Sequence, residues 1–474
     1  MTPMITTPFP ADATSVIIDP AQTLGPVKYM NAVNNGPKKA PRSQRSENFA
    51  AYRAARIPFA RTHDANFCTA YGAPHTVDVS AIFPNFDADP DNPASYGFTR
   101  TDTYLQTIAE AGTEVFYRLG EGPDVGPAKY ATRPPRDAAK WARICEHIVR
   151  HYTEGWAGGP RLKIRYWEIW NEPDLNVPLD GVSVNERANW WNGTATQFFD
   201  LYEVAAKHLK KCFPHLKIGG PAIAFGEKWA ELFIPEMRRR HVPIDFFSWH
   251  SYGNDPARCG KRARFFRELL DRNGYRKAES VLDEWNYVQD WGPSWVYSLE
   301  TESGAFNLKG AAFTAAVMSV CQDGPVDLLM YYDARVGCGM NGMFDPRSLK
   351  PSKGYYPFYA WAKLLDRGTQ VRADVTWAET PGCGHPDTGN DLYATAAVAR
   401  GGRHGAAFVT RFTNDNNVVW DRNVRIAVAG VSLKKAVCHL TDSYHTYTEV
   451  PAELCEDGSL LLAMEPCSFV FVEW

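Results

Sequence analysis

The first two-thirds of the chain alternates short apolar runs with stretches whose apolar residues recur at helical spacing. Eight runs read as strands, at residues 28–33, 56–61, 113–119, 164–170, 216–219, 244–249, 280–284 and 326–332. Each is rich in β-branched, aromatic or other apolar residues and most close on Gly, Asn, Asp or His. Between them, Trp141, Ile144, Ile148 and Tyr152 fall on one helical face, and Phe198, Leu201, Tyr202, Ala205 and Leu209 on another. Eight strands, each followed by a helix, predict a (β/α)8 TIM barrel over residues 22–365. A doubly wound open sheet is the competing architecture. It wants a glycine-rich phosphate turn after its first strand, and NAVNNGPKK lacks G-x-G-x-x-G.

After residue 365 the helical spacing stops. DLYATAAVAR, HGAAFVTRF, NVRIAVAGV, KAVCHLTDSYHTYTEV and SLLLAMEPCSFVFVEW carry period-2 stretches separated by Gly, Asn and Asp. Strands at this spacing predict an accessory all-β sandwich. The early run SVIID at 15–19 is placed to add a strand to it, so this domain is expected to combine residues 1–21 with 366–474. No long linker intervenes, and the two domains are expected to pack tightly.

Composition narrows the function classes. Hydrophobic residues at 45% and charged residues at 22% exclude wholesale disorder. Lys+Arg at 51 against Asp+Glu at 54, with no basic tract, leaves no nucleic-acid footprint. No apolar stretch approaches the ~18 residues of a membrane span, and MTPMITTPFPADATS has neither the basic nor the apolar region of a secretory signal. Ten cysteines without a C-x-x-C pair read as reduced thiols, so a cytoplasmic location is expected. Aromatics at 13% suit core packing first, and also stacking on sugar rings.

In such a barrel chemistry sits at the C-terminal ends of the strands. The fourth strand ends in EIWNEP, with Asn171 and Glu172, and the seventh in VLDEWN, with Glu284. Pro173 removes a ladder donor and halts the strand directly after Glu172. One strand-end glutamate equally suits a cap or a salt bridge. Two of them, on strands four and seven, point to acetal cleavage, which needs a proton for the leaving oxygen and an anion facing the oxocarbenium-like carbon. Carboxyls about 5–5.5 Å apart do this with retention, and a ~6.5–9.5 Å gap admits water and inverts. Sequence leaves that distance open.

These residues carry a resemblance. Over the whole barrel the chain resembles clan A glycoside hydrolases, most closely glycoside hydrolase family 39, known for β-xylosidases and α-L-iduronidases. EIWNEPDL is similar to that family's acid/base segment, which implies Glu172 as acid/base and Asn171 as a contact to the sugar 2-hydroxyl. SVLDEWN resembles its nucleophile segment, which implies Glu284. DFFSWHSYG puts His250 and Tyr252 in the sugar subsite, and RTHD implies Arg61 as support for the nucleophile and His63 as a sugar contact. WNGT and KIGGP are similar to more structural segments. Departures lie in the eighth strand and its loop, YYDARVGCGMNG, where Tyr332 is a further sugar-contact candidate, and at Asp283, where the family commonly has Thr.

Elementary electrostatics adds two expectations. Arg61 beside Glu284 would depress its pKa, and Glu172 between Trp167 and Trp170 would be raised by desolvation. Each of these residues also has a plainer use: Arg61 in a barrel-mouth salt bridge, the histidines in structural hydrogen bonds, Tyr252 and Tyr332 in the core. Trp190, Trp191, Trp291 and Trp295 suit sugar platforms or packing.

Three other readings compete. A metal-dependent hydrolase wants clustered His and carboxylates, and Arg61-Thr62-His63 lacks a second histidine while Cys383-Gly384-His385 is isolated. A non-catalytic carbohydrate-binding barrel would be expected to lose one carboxylate. Nothing argues for a scaffold protein. The expectation is a retaining exo-glycosidase without metal or cofactor, removing terminal sugars, β-D-xylose first, from the non-reducing end of oligosaccharides. α-L-Arabinofuranosyl, β-galactosyl and α-L-iduronyl groups are the alternatives. Insertions at 74–96 and 338–354 are expected to wall off the pocket. Its partner is an oligosaccharide, not nucleic acid or a membrane, and homo-oligomerisation stays open.

Overall fold

The structure is a computed structural model that describes residues 14–39, 47–64, 75–292, 301, 303–376, 391–402 and 404–474. Trp295 and the Cys383-Gly384-His385 pair lie outside the described residues. After a first strand, β1 (Thr14–Pro26), come eight parallel strands: β2 (Tyr29–Asn34), β3 (Phe59–Arg61), β4 (Glu114–Leu119), β5 (Tyr166–Ile169), β6 (Lys217–Ile223), β7 (Phe246–Gly253), β8 (Glu279–Tyr287) and β9 (Leu328–Tyr331). They pair in chain order and close into a barrel where Val33 of β2 meets Tyr331 of β9. One principal helix follows each strand: α1 (Phe49–Ala54), α2 (Thr99–Glu110), α3 (Ala138–Glu154), α4 (Ala195–Cys212), α5 (Glu227–Arg239), α6 (Ala257–Arg272), α7 (Leu308–Asp323) and α8 (Tyr356–Arg367).

Local sequence explains these helices. Asp137 caps α3 by accepting from the Lys140 N–H, and Gly155 ends it at φ 81, a left-handed conformation in which a side chain is strained. Thr194 and Gln197 form a capping box on α4. The apolar stripes read from the sequence are the buried faces of both helices. Each predicted strand is present, but β7 and β8 run several residues past their predicted ends. Their last turns carry His250, Ser251, Tyr252 and Asn286, polar residues still held in the ladder, so hydrophobicity ends before the pairing does.

The barrel interior is packed rather than open. Ala32, Phe59, Phe116, Tyr166, Phe246, Val281, Leu328 and Met330 form one cluster inside it. β6 offers Gly219 there, and a Cβ at that position would lie 2.2 Å from the Phe246 carbonyl oxygen. This plug leaves the polar residues only the C-terminal mouth.

The accessory unit is a single ten-stranded sheet built from β1 and nine later strands: β10 (Thr369–Thr376), β11 (Leu392–Val398), β12 (Gly405–Phe412), β13 (Arg422–Val428), β14 (Val437–Thr441), β15 (Thr448–Val450), β16 (Glu453–Leu454), β17 (Leu460–Met464) and β18 (Cys467–Glu473). β1 lies between β10, antiparallel, and β13, parallel. The sheet curls around one core that gathers Ile18, Val409, Ile426, Leu440 and Leu462. Alternate residues of β12 face the barrel instead, where Phe408 meets Trp361 of α8 and Phe412 meets Phe313 of α7. The eight described cysteines are free, and no helix among the described residues is long and apolar enough to cross a membrane.

Candidate active site

Arg61, the last residue of β3, is wholly buried and organises the mouth. Its Nε donates to Glu168 Oε2 at 2.7 Å, one terminal nitrogen to Glu284 Oε1 at 2.7 Å, and the other to Asn171 Oδ1 at 2.7 Å. Burial opposes its charge, but its carboxylate neighbours, Glu168 foremost, outweigh that and raise its pKa above the ordinary arginine range. A guanidinium suits this task because its planar fork serves several acceptors at once.

Glu284 takes its second hydrogen bond, at 2.8 Å, from the Tyr252 hydroxyl. The chain reaches this geometry through an irregularity. Along β7 and β8, Trp249 pairs with Leu282 but His250 pairs with Glu284, so Asp283 is an extra residue in β8. Strand alternation would send Asp283 and Glu284 to opposite faces; a bulge re-aims the strand. On β5 the chain leaves the ladder through Trp170 (φ 75) and Glu172 (φ 47), left-handed conformations that cost about 1 kcal/mol or more each outside glycine. Trp170 is pinned by its indole N–H on the Trp190 carbonyl, at 2.8 Å, and Glu172 by its backbone N–H on the Ala222 carbonyl, at 2.9 Å.

Glu172 and Glu284 thus meet. With His250 between them, they offer side-chain oxygen and nitrogen atoms that all lie within 4.8 Å of one another. His250 Nδ1 is 2.8 Å from Glu172 Oε1 and 3.4 Å from Glu284 Oε2. Burial, then Glu284 and Asp174, push the Glu172 pKa well above the carboxylate range. For Glu284, burial outweighs Arg61 and Tyr252 and the pKa rises to about 7. The sequence-based expectation for Glu172 holds in direction. For Glu284 it is corrected: Arg61 pulls downward, but removal from water is the larger effect. Burial, followed by Arg61, holds both His63 and His250 well below their ordinary pKa, so both rings are neutral.

The two glutamates open on a cavity of about 490 Å³ lined also by Trp190, Tyr252, Trp291, Tyr332 and Met340. His63 lies behind two of the lining residues, with Nε2 3.5 Å from Glu284 Oε1 and its ring against Trp190. Asn171 keeps its Nδ2 buried without a partner among the described residues, a donor left for a ligand. All eight predicted site residues therefore come together at one mouth. Trp190 and Trp291 line the cavity, whereas Trp191 packs in the core against Trp170 and Phe198. Of the two insertions, the described part of 74–96 contributes nothing to this lining, while Cys338, Gly339 and Met340 of the second do.

Sequence reading missed a second circle of acids. Glu168 lies under Arg61. Asp64, three residues past the predicted strand end, accepts from the Tyr332 hydroxyl at 2.7 Å. Arg335 is tied to Asp333 at 3.2 Å and to Asp64 at 3.7 Å. A second close group, Glu146, His208 and Cys212, lies on α3 and α4. Arg143 and Arg150 already occupy Glu146, and their charge opposes a cation there.

Comparison with known proteins identifies the family and the fold. The profile of "Glycosyl hydrolases family 39" matches residues 17–272, more than half of the chain, a span that includes Glu172 and stops before Glu284. A curated "Beta-xylosidase" of Geobacillus stearothermophilus is 30% identical over 202 residues, 40% of this chain and 38% of the relative. One of Caldicellulosiruptor saccharolyticus is 29% identical over 192 residues, 38% of this chain and 35% of the relative. The aligned segments thus span little more than a third of these relatives' length. Among solved structures, a glucosidase from Croceicoccus marinus superposes with a TM-score of 0.72 at 20% identity, covering 97% of this chain and 98% of that one. A monomeric beta-xylosidase from Caulobacter crescentus superposes at 0.67 and 14%, covering 97% and 99%. At these identities the likeness is one of fold.

Proposed function

The chain belongs to glycoside hydrolase family 39, and from that premise we propose that it is a retaining exo-glycosidase with Glu284 as nucleophile and Glu172 as acid/base. One observation carries the reading. A carboxylate oxygen of Glu172 and one of Glu284 lie within 4.8 Å across a shared cavity, nearer to the ~5–5.5 Å carboxyl spacing of double displacement than to the ~6.5–9.5 Å spacing of inverting sites. Glu284 attacks the anomeric carbon while protonated Glu172 gives its proton to the leaving oxygen. Glu172 then takes a proton from the water that releases the sugar from Glu284. Arg61 and Tyr252 hold the attacking carboxylate, and Asn171, His63, His250 and Tyr332 address the sugar hydroxyls.

For the sugar itself we propose β-D-xylose, in line with the two curated relatives that carry that name. The described lining contains no lysine or arginine, and Arg335 is spent on Asp64 and Asp333. Among these described residues a uronic acid would find no cation to meet its carboxylate, which counts against iduronide. The test is a panel of aryl β-D-xyloside, α-L-arabinofuranoside, β-D-galactoside and α-L-iduronide, with the first-formed anomer followed by NMR. Retained xylose released singly is expected. An inverted first product would sink the two-glutamate assignment, and a rapid viscosity drop on xylan before monosaccharide appears would sink the exo mode.

A further inference from the structure

Asp283 is the residue on which this mouth departs most from simple strand geometry. It is the extra residue of the β8 bulge, wholly buried, in the position directly before Glu284. Its Oδ2 lies 3.1 Å from Arg61 Nε, yet that N–H is directed at Glu168. Neither Asp283 oxygen receives a hydrogen bond from a described residue. His250 Nε2 is 3.6 Å from Oδ1 and its ring is neutral. Glu168, in contrast, accepts from both Arg61 and the Ser248 hydroxyl, and the Arg61 Nε that reaches its Oε2 at 2.7 Å also lies 3.1 Å from Asp283 Oδ2, which sets the two carboxyl groups side by side. Two carboxylates in contact repel unless one of them donates, and a buried anion with no donor is among the costliest states a side chain can adopt.

We propose that Asp283 is a positioning residue held protonated, donating to Glu168, so that Arg61 balances Glu168 and Glu284 and the proton on Asp283 prevents a third anion from competing for the guanidinium. The facing groups fit this balance: Arg61 from β3, Glu168 from β5, Ser248 and neutral His250 from β7, and Glu284 beside it on β8. Burial, followed by Glu168, also raises the Asp283 pKa well above its ordinary value. The consequence for the reaction is orientation. With Asp283 neutral, Arg61 stays divided between Glu168 and Glu284 and keeps the Glu284 carboxylate aimed at the cavity.

The catalytic part of this inference rests on the assignment of Glu284 above; the protonation does not, and the two are measured separately. On the free enzyme at pH 7, infrared difference spectroscopy of wild type against Asp283→Asn should remove a carboxylic-acid carbonyl band that shifts in D2O. In turnover, Asp283→Ala should lower kcat about tenfold or more with KM within about threefold, and Asp283→Asn, which keeps a neutral donor, should recover most of it. Absence of the band from wild type overturns the proposal without touching the nucleophile assignment. So does an Asp283→Asn enzyme whose acid limb moves down by a unit or more, since that shift means a negative charge was removed. If Asp283→Ala fails to fold, the infrared difference and the Asn profile still decide.

Discussion

Two buried glutamates near the barrel mouth, Glu121 just past β4 and Glu284 on β8, separate burial from catalytic competence. Both are almost without exposure, and burial pushes Glu121 to about 8 and Glu284 to about 7. Glu121 is satisfied by one neighbour, accepting from the Ser80 N–H at 3.0 Å and the Ser80 hydroxyl at 2.5 Å. It faces a separate cavity of about 220 Å³ whose described lining holds no second carboxylate. Glu284 faces Glu172 across the larger cavity and is gripped by Arg61. A perturbed acid marks a candidate, and a second acid of opposite role in the same space makes it a site.

The comparison breaks most visibly at Glu284. Glu284→Ala should reduce kcat roughly ten-thousand-fold or more on every substrate; turnover near the wild-type rate would remove the nucleophile assignment. Glu172→Ala should cost about 10²–10⁴-fold for glycosides whose leaving group needs a proton and much less for activated aryl glycosides. Added azide should yield a glycosyl azide of retained configuration, and an inverted azide would assign Glu172 otherwise.

The pH profile sharpens the same contrast. With the proposed roles, activity needs Glu284 ionised and Glu172 protonated, so kcat/KM should rise with pH through about 7 and fall again only at higher pH. Tyr252→Phe removes a hydrogen bond that favours the Glu284 anion, so the acid limb should move upward by about one unit. A limb that stays in place would sever Tyr252 from the nucleophile.

The smallest effect on activity belongs to Glu121→Gln, with kcat/KM expected within about threefold of wild type. Stability should respond instead. The folded pKa of Glu121 is raised above its unfolded value, so its contribution is full below the ordinary carboxylate range and is lost as pH rises through about 8. Thermal melts should therefore show the variant gaining on wild type between pH 5 and pH 8. A constant difference across that window would mean that Glu121 is ionised throughout.

Much of this architecture was legible in advance because it is written locally. The helix stripes at Trp141–Tyr152 and Phe198–Leu209 and the eight apolar runs each depend on a dozen residues or fewer, and all appear in the fold. Strand-end position likewise exposed Glu172, Glu284 and Tyr332, and the family resemblance added Arg61, His63, Asn171, His250 and Tyr252. Glu168 and Asp64 escaped notice because nothing in their own neighbourhoods announces that an arginine from β3 or a tyrosine beyond β9 will close on them. Trp190 and Trp191 are adjacent in sequence, yet one lines the cavity and the other fills the core.

The sequence by itself determined the barrel and the identity of the paired glutamates, since hydrophobic period and strand-end chemistry are properties of short segments. Tertiary structure alone decided how charge is shared among them. Protonation at Glu172, Asp283 and Glu284 depends on desolvation and on partners from β3, β5 and β7, and those distances exist only once the barrel has closed.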